Sequence, residues 1–329
     1  MSGFAQVAAG LVLAVSGWLA PRRVAGARGF GAAALLDAAP LTFVALVSFV
    51  VSGRPIYAGA VVFALGACFA FADRTVRDTL REPVLFTALS ELPQIFTHPH
   101  LYLPFAGTGL ILGGVGLALL AALGLLVAEP ALTSPHAVAA LLLLAMVAGV
   151  LCLIGREPWL GRVAPALRRL RPSGDPFADA ARLGPVAILI VHGIIARAER
   201  AARRARLAPA IAGTRLAAAR PVILVQCESF FDVRRVLPAV PGGLLAGYDA
   251  CRRGGSFGRL EVPAWGANAP RAEFAVLAGI GDAALGYDRF NPYHALARAP
   301  IASHVWRLRE TGYRRSACIR STGASTAAT

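Results

Sequence analysis

The chain has 329 residues, 57% of them hydrophobic and only 16% charged, with a mean hydropathy of +0.61. That is too apolar for an ordinary soluble domain and is the composition of a polytopic membrane protein. The net charge is +15 and all 33 basic residues are arginine. They sit beside apolar segments as juxtamembrane anchors do and form no single polar face, which excludes nucleic acid as a partner.

Five segments can cross a bilayer, which takes about 20 apolar residues: 4–20, 35–51, 56–72, 104–128 and 136–154. Together they make a transmembrane domain over 1–155. The first lacks a basic start and is followed by further spans, so it is not a cleavable signal. Gly and Ala are frequent in these segments, as where membrane helices pack closely. The spans hold almost no ionisable residue besides Asp37, which argues against an ion or proton pathway and hence against a transporter.

The loop 73–103 is amphipathic, with Arg-Glu-Pro at 81–83 and His-Pro-His at 98–100. It reads as an interfacial loop touching headgroups; the two histidines as metal ligands are the alternative. Residues 156–219 are a basic linker. Within it 183–196 is apolar for only 14 residues between Arg182 and Arg197, which suits an interfacial helix over 183–197 better than a span. His192 inside it is a packing or interface residue. Five spans with the C-terminal part outside place Arg22, Arg23, Arg28, Arg74, Arg77, Arg81 and the linker arginines outside, against Arg54 inside. This runs counter to the positive-inside tendency. A sixth crossing at 183–196 would remove the conflict; length favours five.

Cys68, Cys152, Cys227, Cys251 and Cys318 are scattered, odd in number and without zinc spacing, so neither a disulfide framework nor a zinc site is expected. From about Pro221 the pattern becomes soluble α/β. Residues 221–225 read as a buried strand that ends in an acid, Glu228, where a parallel sheet mounts ligands. Residues 272–277 read as the start of a helix packed on it. Residues 301–310 read as an amphipathic helix stopped by Gly312, and 315–319 as the next strand.

The run VILVQCESFFD at 222–232, VPAWGANAPRAEFAVLAGI at 262–280, NPY at 291–293 and LRETGY at 308–313 together resemble the lipoteichoic acid synthase and phosphoglycerol transferase family of the alkaline phosphatase/sulfatase superfamily. The resemblance covers 221–319 closely and the membrane region loosely. It implies a helical membrane domain followed by the N-terminal part of a sulfatase-like α/β domain over 220–319. It also implies an inner, cytoplasmic membrane of a bacterium, with the α/β domain extracytoplasmic. The implied cofactor is a divalent cation such as Mn2+, and the implied lipid partner is a phospholipid such as phosphatidylglycerol. The implied reaction is transfer of phosphoglycerol to an envelope glycan or lipid through a threonine nucleophile.

Carried over residue by residue, Glu228 matches the family's metal-binding acid; a solvated turn acid is its plain alternative. Glu273 matches a Glu-Phe pair and reads as structural. Asn268 and Arg271 lie beside the nucleophile position and are substrate-proximal candidates. The nucleophile position itself is Ala269, where the family has Thr, and Ala has no oxygen with which to attack phosphorus or bind metal. Ser256 is too far off in sequence to replace it. Residues 320–329 are a low-complexity tail where the family carries an aromatic–x–Arg–Asp motif and, later, an Asp-His pair. One frame over, the codon families of this tail permit Phe-Asp-Arg-Arg-Phe-Tyr-Gly-Arg-Asp, so a frameshift near codon 320 is expected in the nucleotide sequence. Inactivity of the chain as written follows; a degenerate, non-catalytic membrane protein is the other reading.

Overall fold

A computed structural model describes residues 2–97, 107–209, 221–227, 230–266, 268–296, 298–314, 316–320 and 325–328. They form two compact units, Met1–Leu207 with Asp282–Ala299, and Ala208–Gly281 with Pro300–Thr329. The first unit holds α1 (Gly3–Ala25), α2 (Ala32–Ser52), α3 (Pro55–Leu80), α4 (Ala88–Thr97), α5 (Thr108–Ala128) and α6 (Ala137–Ile154). The shorter α7 (Trp159–Arg168) and α8 (Pro176–Leu183) and the long α9 (Pro185–Leu207) follow. Among the described residues, α1, α2, α3, α5 and α6 are long and apolar enough to cross a membrane. The chain is therefore a multi-pass membrane protein.

Glycine sets the helix ends and the closest helix contact. Gly26 and Gly53 take left-handed conformations, at φ 68° and 67°, and stop α1 and α2. Gly10 and Gly17 lie on one face of α1 and meet Gly59 and Gly66 on one face of α3; a Cβ at any of the four would strike the other helix's backbone. Gly10 also meets Pro55, and Gly17 meets Val62 and Phe63, so contacts advance together along both helices and α1 and α3 run parallel. Small residues that let backbones approach are how membrane helices gain packing without a hydrophobic drive.

Hydrogen bonds at the helix ends define two faces. On one, Gln6 Nε2 donates to the Pro130 carbonyl at 3.2 Å, and the Leu132 and His136 N–H groups donate to the Gly53 and Val50 carbonyls. The Glu129 carboxylate accepts the Ile56 and Tyr57 N–H groups at 2.8 Å each, capping α3. The start of α1, the α2–α3 turn and the α5–α6 turn thus share this N-terminal face. The opposite face gathers the α1–α2 turn, the end of α3 and the end of α6. It also carries arginines 22, 23, 28, 74, 77 and 81, against Arg54 alone on the N-terminal face.

Helices α7, α8 and α9 close the arginine face. Ala25 of α1 packs with Ala180 and Leu183 of α8 and with Ala187, Ile188, Val191 and Ile195 of α9 in one buried cluster. The first turn of α9 is held by Asp37 of α2, and farther along Arg197 Nε donates to the Gly155 carbonyl at the end of α6, 2.8 Å away. Both contacts lie on the arginine face, so α9 runs across it and does not cross back.

The bounds of the helix expected over 183–197 are corrected. That stretch straddles two helices, and α9 is 23 residues long because its polar second half stays helical. Arg203 bonds Glu199 one turn earlier and, with Arg200, grips Asp288. Ala187, Ile188, Val191 and Ile195 of α9 face the cluster. The span expected at 56–72 likewise continues as helix to Leu80, since Asp73 accepts from Arg77 Nε and the Val84 N–H, both at 2.7 Å.

The second unit is largely helical and irregular. It holds the helices Ala246–Gly254, Ala269–Ala278 and His304–Glu310, and one antiparallel pair, β1 (Ala317–Arg320) with β2 (Ser325–Ala328), in register Ala317↔Ala328 to Arg320↔Ser325. The helix expected at 301–310 begins three residues later, where the Ser303 hydroxyl accepts the Trp306 N–H at 3.0 Å, and ends at Thr311 before Gly312.

The α/β fold expected over 220–319 is corrected among the described residues. Residues 221–225 form no strand, and Val222, Ile223, Leu224 and Val225 are exposed, Ile223 by 85%. An isolated strand has no acceptor for its N–H groups and no face to bury, and no described segment pairs with it. The expected strand at 315–319 is present as β1, but its partner β2 is antiparallel and comes from the stretch read as a low-complexity tail.

Candidate functional site

The helix Ala269–Ala278 starts at the position that the sequence resemblance reads as the nucleophile's. Pro270 in its first turn lacks only an N–H that has no helical partner there. Asn268 occupies the capping position without a side-chain cap, and its Nδ2 donates back to the Trp265 carbonyl at 3.2 Å. The start of a helix carries partial positive charge and suits a phosphoryl group. Ala269 presents only a methyl there.

Glu273, one turn on, accepts from Gln226 Nε2 at 3.4 Å. The end of the 221–227 segment is therefore beside the helix that starts at Ala269, without the buried strand on which that helix was expected to pack. Arg271 is half-buried and has interactions of its own within the chain, so it is not a free cation held ready for substrate. Ser256 lies in an exposed loop. Glu228 lies outside the described residues, as do the histidines at 98 and 100. The NPY motif, taken with the catalytic motifs, belongs instead to the first unit, where Pro292 is buried.

Among the described residues, no three His, Cys, Asp or Glu side chains converge as metal ligands. The acids nearest Glu228 in sequence are already committed. Arg234 donates from Nε and Nη2 to Asp232 at 2.8 and 2.9 Å, and from Nη1 and Nη2 to Asp249 at 2.8 and 2.9 Å. These bonds hold both carboxyls below the usual range and raise the guanidinium. The described residues do not fit a divalent cation.

The best-built polar sites lie in the first unit, and the motif reading missed them. The buried Asp37 carboxylate accepts four donors: Trp18 Nε1 at 3.0 Å, Arg22 Nη1 at 2.8 Å, and the Val186 and Ala187 N–H groups at 2.8 and 3.0 Å. It is the anion at the start of α9 and the counter-ion of a buried arginine. Arg22 also stacks over Trp18, 4.8 Å from the ring centre. The signal in the sequence was an acid inside an apolar span, with Arg22 just before the preceding turn.

Asp179 is the second such acid. It accepts from the Ser173 N–H and hydroxyl, the Gly174 N–H and His192 Nε2, the last at 2.9 Å. Burial pushes its carboxyl up, but the bonds from His192, Ser173 and Gly174 outweigh it and hold the pKa at about 2. His192 is wholly buried and tilts against Tyr287, ring centres 4.6 Å apart. Burial, then the charges of Asp179 and Glu199, push the Tyr287 hydroxyl up to about 12. This is a packed joint between α8, α9 and residues 286–290, with no approach for substrate, and His192 is the packing residue expected from its apolar setting.

Compared with protein-family models, with curated proteins and with solved structures, the chain matches none.

Proposed function

We propose that the chain is a membrane-embedded protein of the phosphoglycerol transferase lineage that does not itself turn over phosphatidylglycerol. The observation that carries this is Ala269. In the lineage a threonine oxygen attacks the lipid phosphorus, the bond from phosphorus to the diacylglycerol oxygen breaks, and phosphoglycerol remains on the threonine. A methyl group has no lone pair to donate. The ordered motifs support the lineage, as does the placing of position 269 at a helix start beside the end of residues 221–227. On this reading Glu228 is the remnant ligand for a cation such as Mn2+. The residues after 220 are extracytoplasmic in a bacterial cytoplasmic membrane, and the ancestral acceptor is an envelope glycan or lipid.

The test is diacylglycerol release from phosphatidylglycerol vesicles by the purified chain with Mn2+. The expected result is none above background. Release that depends on Glu228 overturns the proposed inactivity. A gain of Mn2+-dependent release in Ala269→Thr, lost again in Ala269→Thr with Glu228→Ala, supports the lineage.

One observation favours a second reading, a non-catalytic membrane protein. The arginines gather on one face of the bundle and α9 does not cross back, so the positive-inside tendency puts that face in the cytoplasm. A lipid transferase working outside the membrane needs the opposite orientation.

A further inference from the structure

A recess of about 150 Å³ opens on the arginine face between the α3–α4 connection, α9 and the helix Pro292–Leu296. It is lined by Phe86, Thr87 and Ser90 on one side, by Arg197 and Arg200 on another, and by His294 on the third. Gly193 of α9 lies against Phe86, and both line the recess. We propose that this recess binds a phosphate group, supplied by the headgroup of an anionic phospholipid or by free phosphate.

The arginines are anchored so that part of each fork is left over. Arg197 spends Nε on the Gly155 carbonyl at 2.8 Å, leaving both Nη groups without an acceptor among the described residues. Arg200 spends Nε and Nη2 on Asp288 Oδ1 at 3.3 and 2.8 Å, leaving Nη1. A guanidinium fixed along one edge presents the other with little further loss of freedom, and phosphate takes such donors in charge-assisted bonds. Thr87 adds a hydroxyl and His294 a ring N–H, while the Ser90 hydroxyl is spent on the Thr87 carbonyl.

The local charge has the right sign. Arg168, Arg200 and Arg203 pair with Glu199 and Asp288, which leaves one positive charge over, and Arg197 adds a second. The depth is also right. Gly155, which Arg197 holds, is the residue on which the apolar helix α6 ends, so the recess stands at the level of lipid headgroups. None of this uses position 269 or the transferase reading, and it holds whether or not the second unit has any activity.

Binding to the purified full-length chain in detergent tests it, with dihexanoyl-phosphatidylglycerol, dihexanoyl-phosphatidylcholine and inorganic phosphate as probes. Phosphatidylglycerol is expected to bind saturably and more tightly than the zwitterionic lipid. Arg197→Gln is expected to weaken it at least about tenfold, the loss of one charge-assisted contact. His294→Ala, which removes an exposed side chain with no structural bond, guards against a folding artefact and is expected to weaken binding in the same direction. Displacement by inorganic phosphate at matching concentration identifies the free anion as the ligand; retention of lipid against it identifies the headgroup. Equal phosphatidylglycerol binding by wild type and both variants, or no saturable binding of any probe, overturns the proposal.

Discussion

The two units of this chain treat their acids and their apolar residues in opposite ways. In the first, Asp37, Asp73, Asp179 and Asp288 are buried and each bonded to side-chain or backbone donors, and Asp37 fixes how helices about 150 residues apart in sequence meet. In the second, Asp232 and Asp249 clasp one arginine near the surface, while Val222 to Val225 stand exposed. A motif can thus be legible where no site is built, and a built site can lack any motif. The first unit's buried carboxylates are structural because each is bonded from within; the second unit's motif residues have not been drawn together among the described residues.

The contrast is broken most severely by Asp37→Ala. Removing it leaves the buried Arg22 without its counter-ion, and the Trp18 N–H and two N–H groups of α9 without an acceptor, a loss of about 3–5 kcal/mol. Thermal unfolding in detergent should show a large fall in Tm, whereas Asp232→Ala in the second unit should leave Tm unchanged. Next, Gly66→Leu drives a side chain into the backbone of α1 at Gly17. The expected cost is about 1–3 kcal/mol, seen as a lower Tm and increased protease sensitivity of the bundle.

Asp179 gives a pH signature. Its pKa is lower folded than unfolded, about 2 against 3.8, so its contribution of about 2 kcal/mol is present above pH 4 and fades as pH falls toward 2. A stability–pH curve should lose this step in Asp179→Asn. The smallest effect is the sharpest for the second unit. Ile223→Ser is expected to leave Tm where it is, because Ile223 is 85% exposed. A drop of several degrees would mean that 221–225 is buried as a strand after all.

Much of the first unit could be read from the sequence because one property, the length of an apolar run, decides whether a helix crosses a bilayer. The ends were less legible. Asp73 to Leu80 looks like the start of a loop until its bonds to Arg77 and Val84 are known, and α9 looks short until Glu199, Arg203 and Asp288 are seen to pair. Asp37 stood out as an ionisable residue in an apolar span, but its partners at 22, 186 and 187 depend on tertiary placement. Residues 221–225 mislead for a related reason. Val, Ile and Leu state a preference for a buried strand, and only neighbouring strands can realise it.

The most direct test is of the two faces. Single cysteines at Ser2, Ser134 and Ala166, in a background with the native cysteines replaced, can be probed in sealed membrane vesicles with an impermeant maleimide. Ser2 and Ser134 belong to the N-terminal face and Ala166, in α7, to the arginine face. The account predicts that the first two label from one side and Ala166 only from the other. Labelling of all three from the same side would mean an even number of crossings and would contradict it.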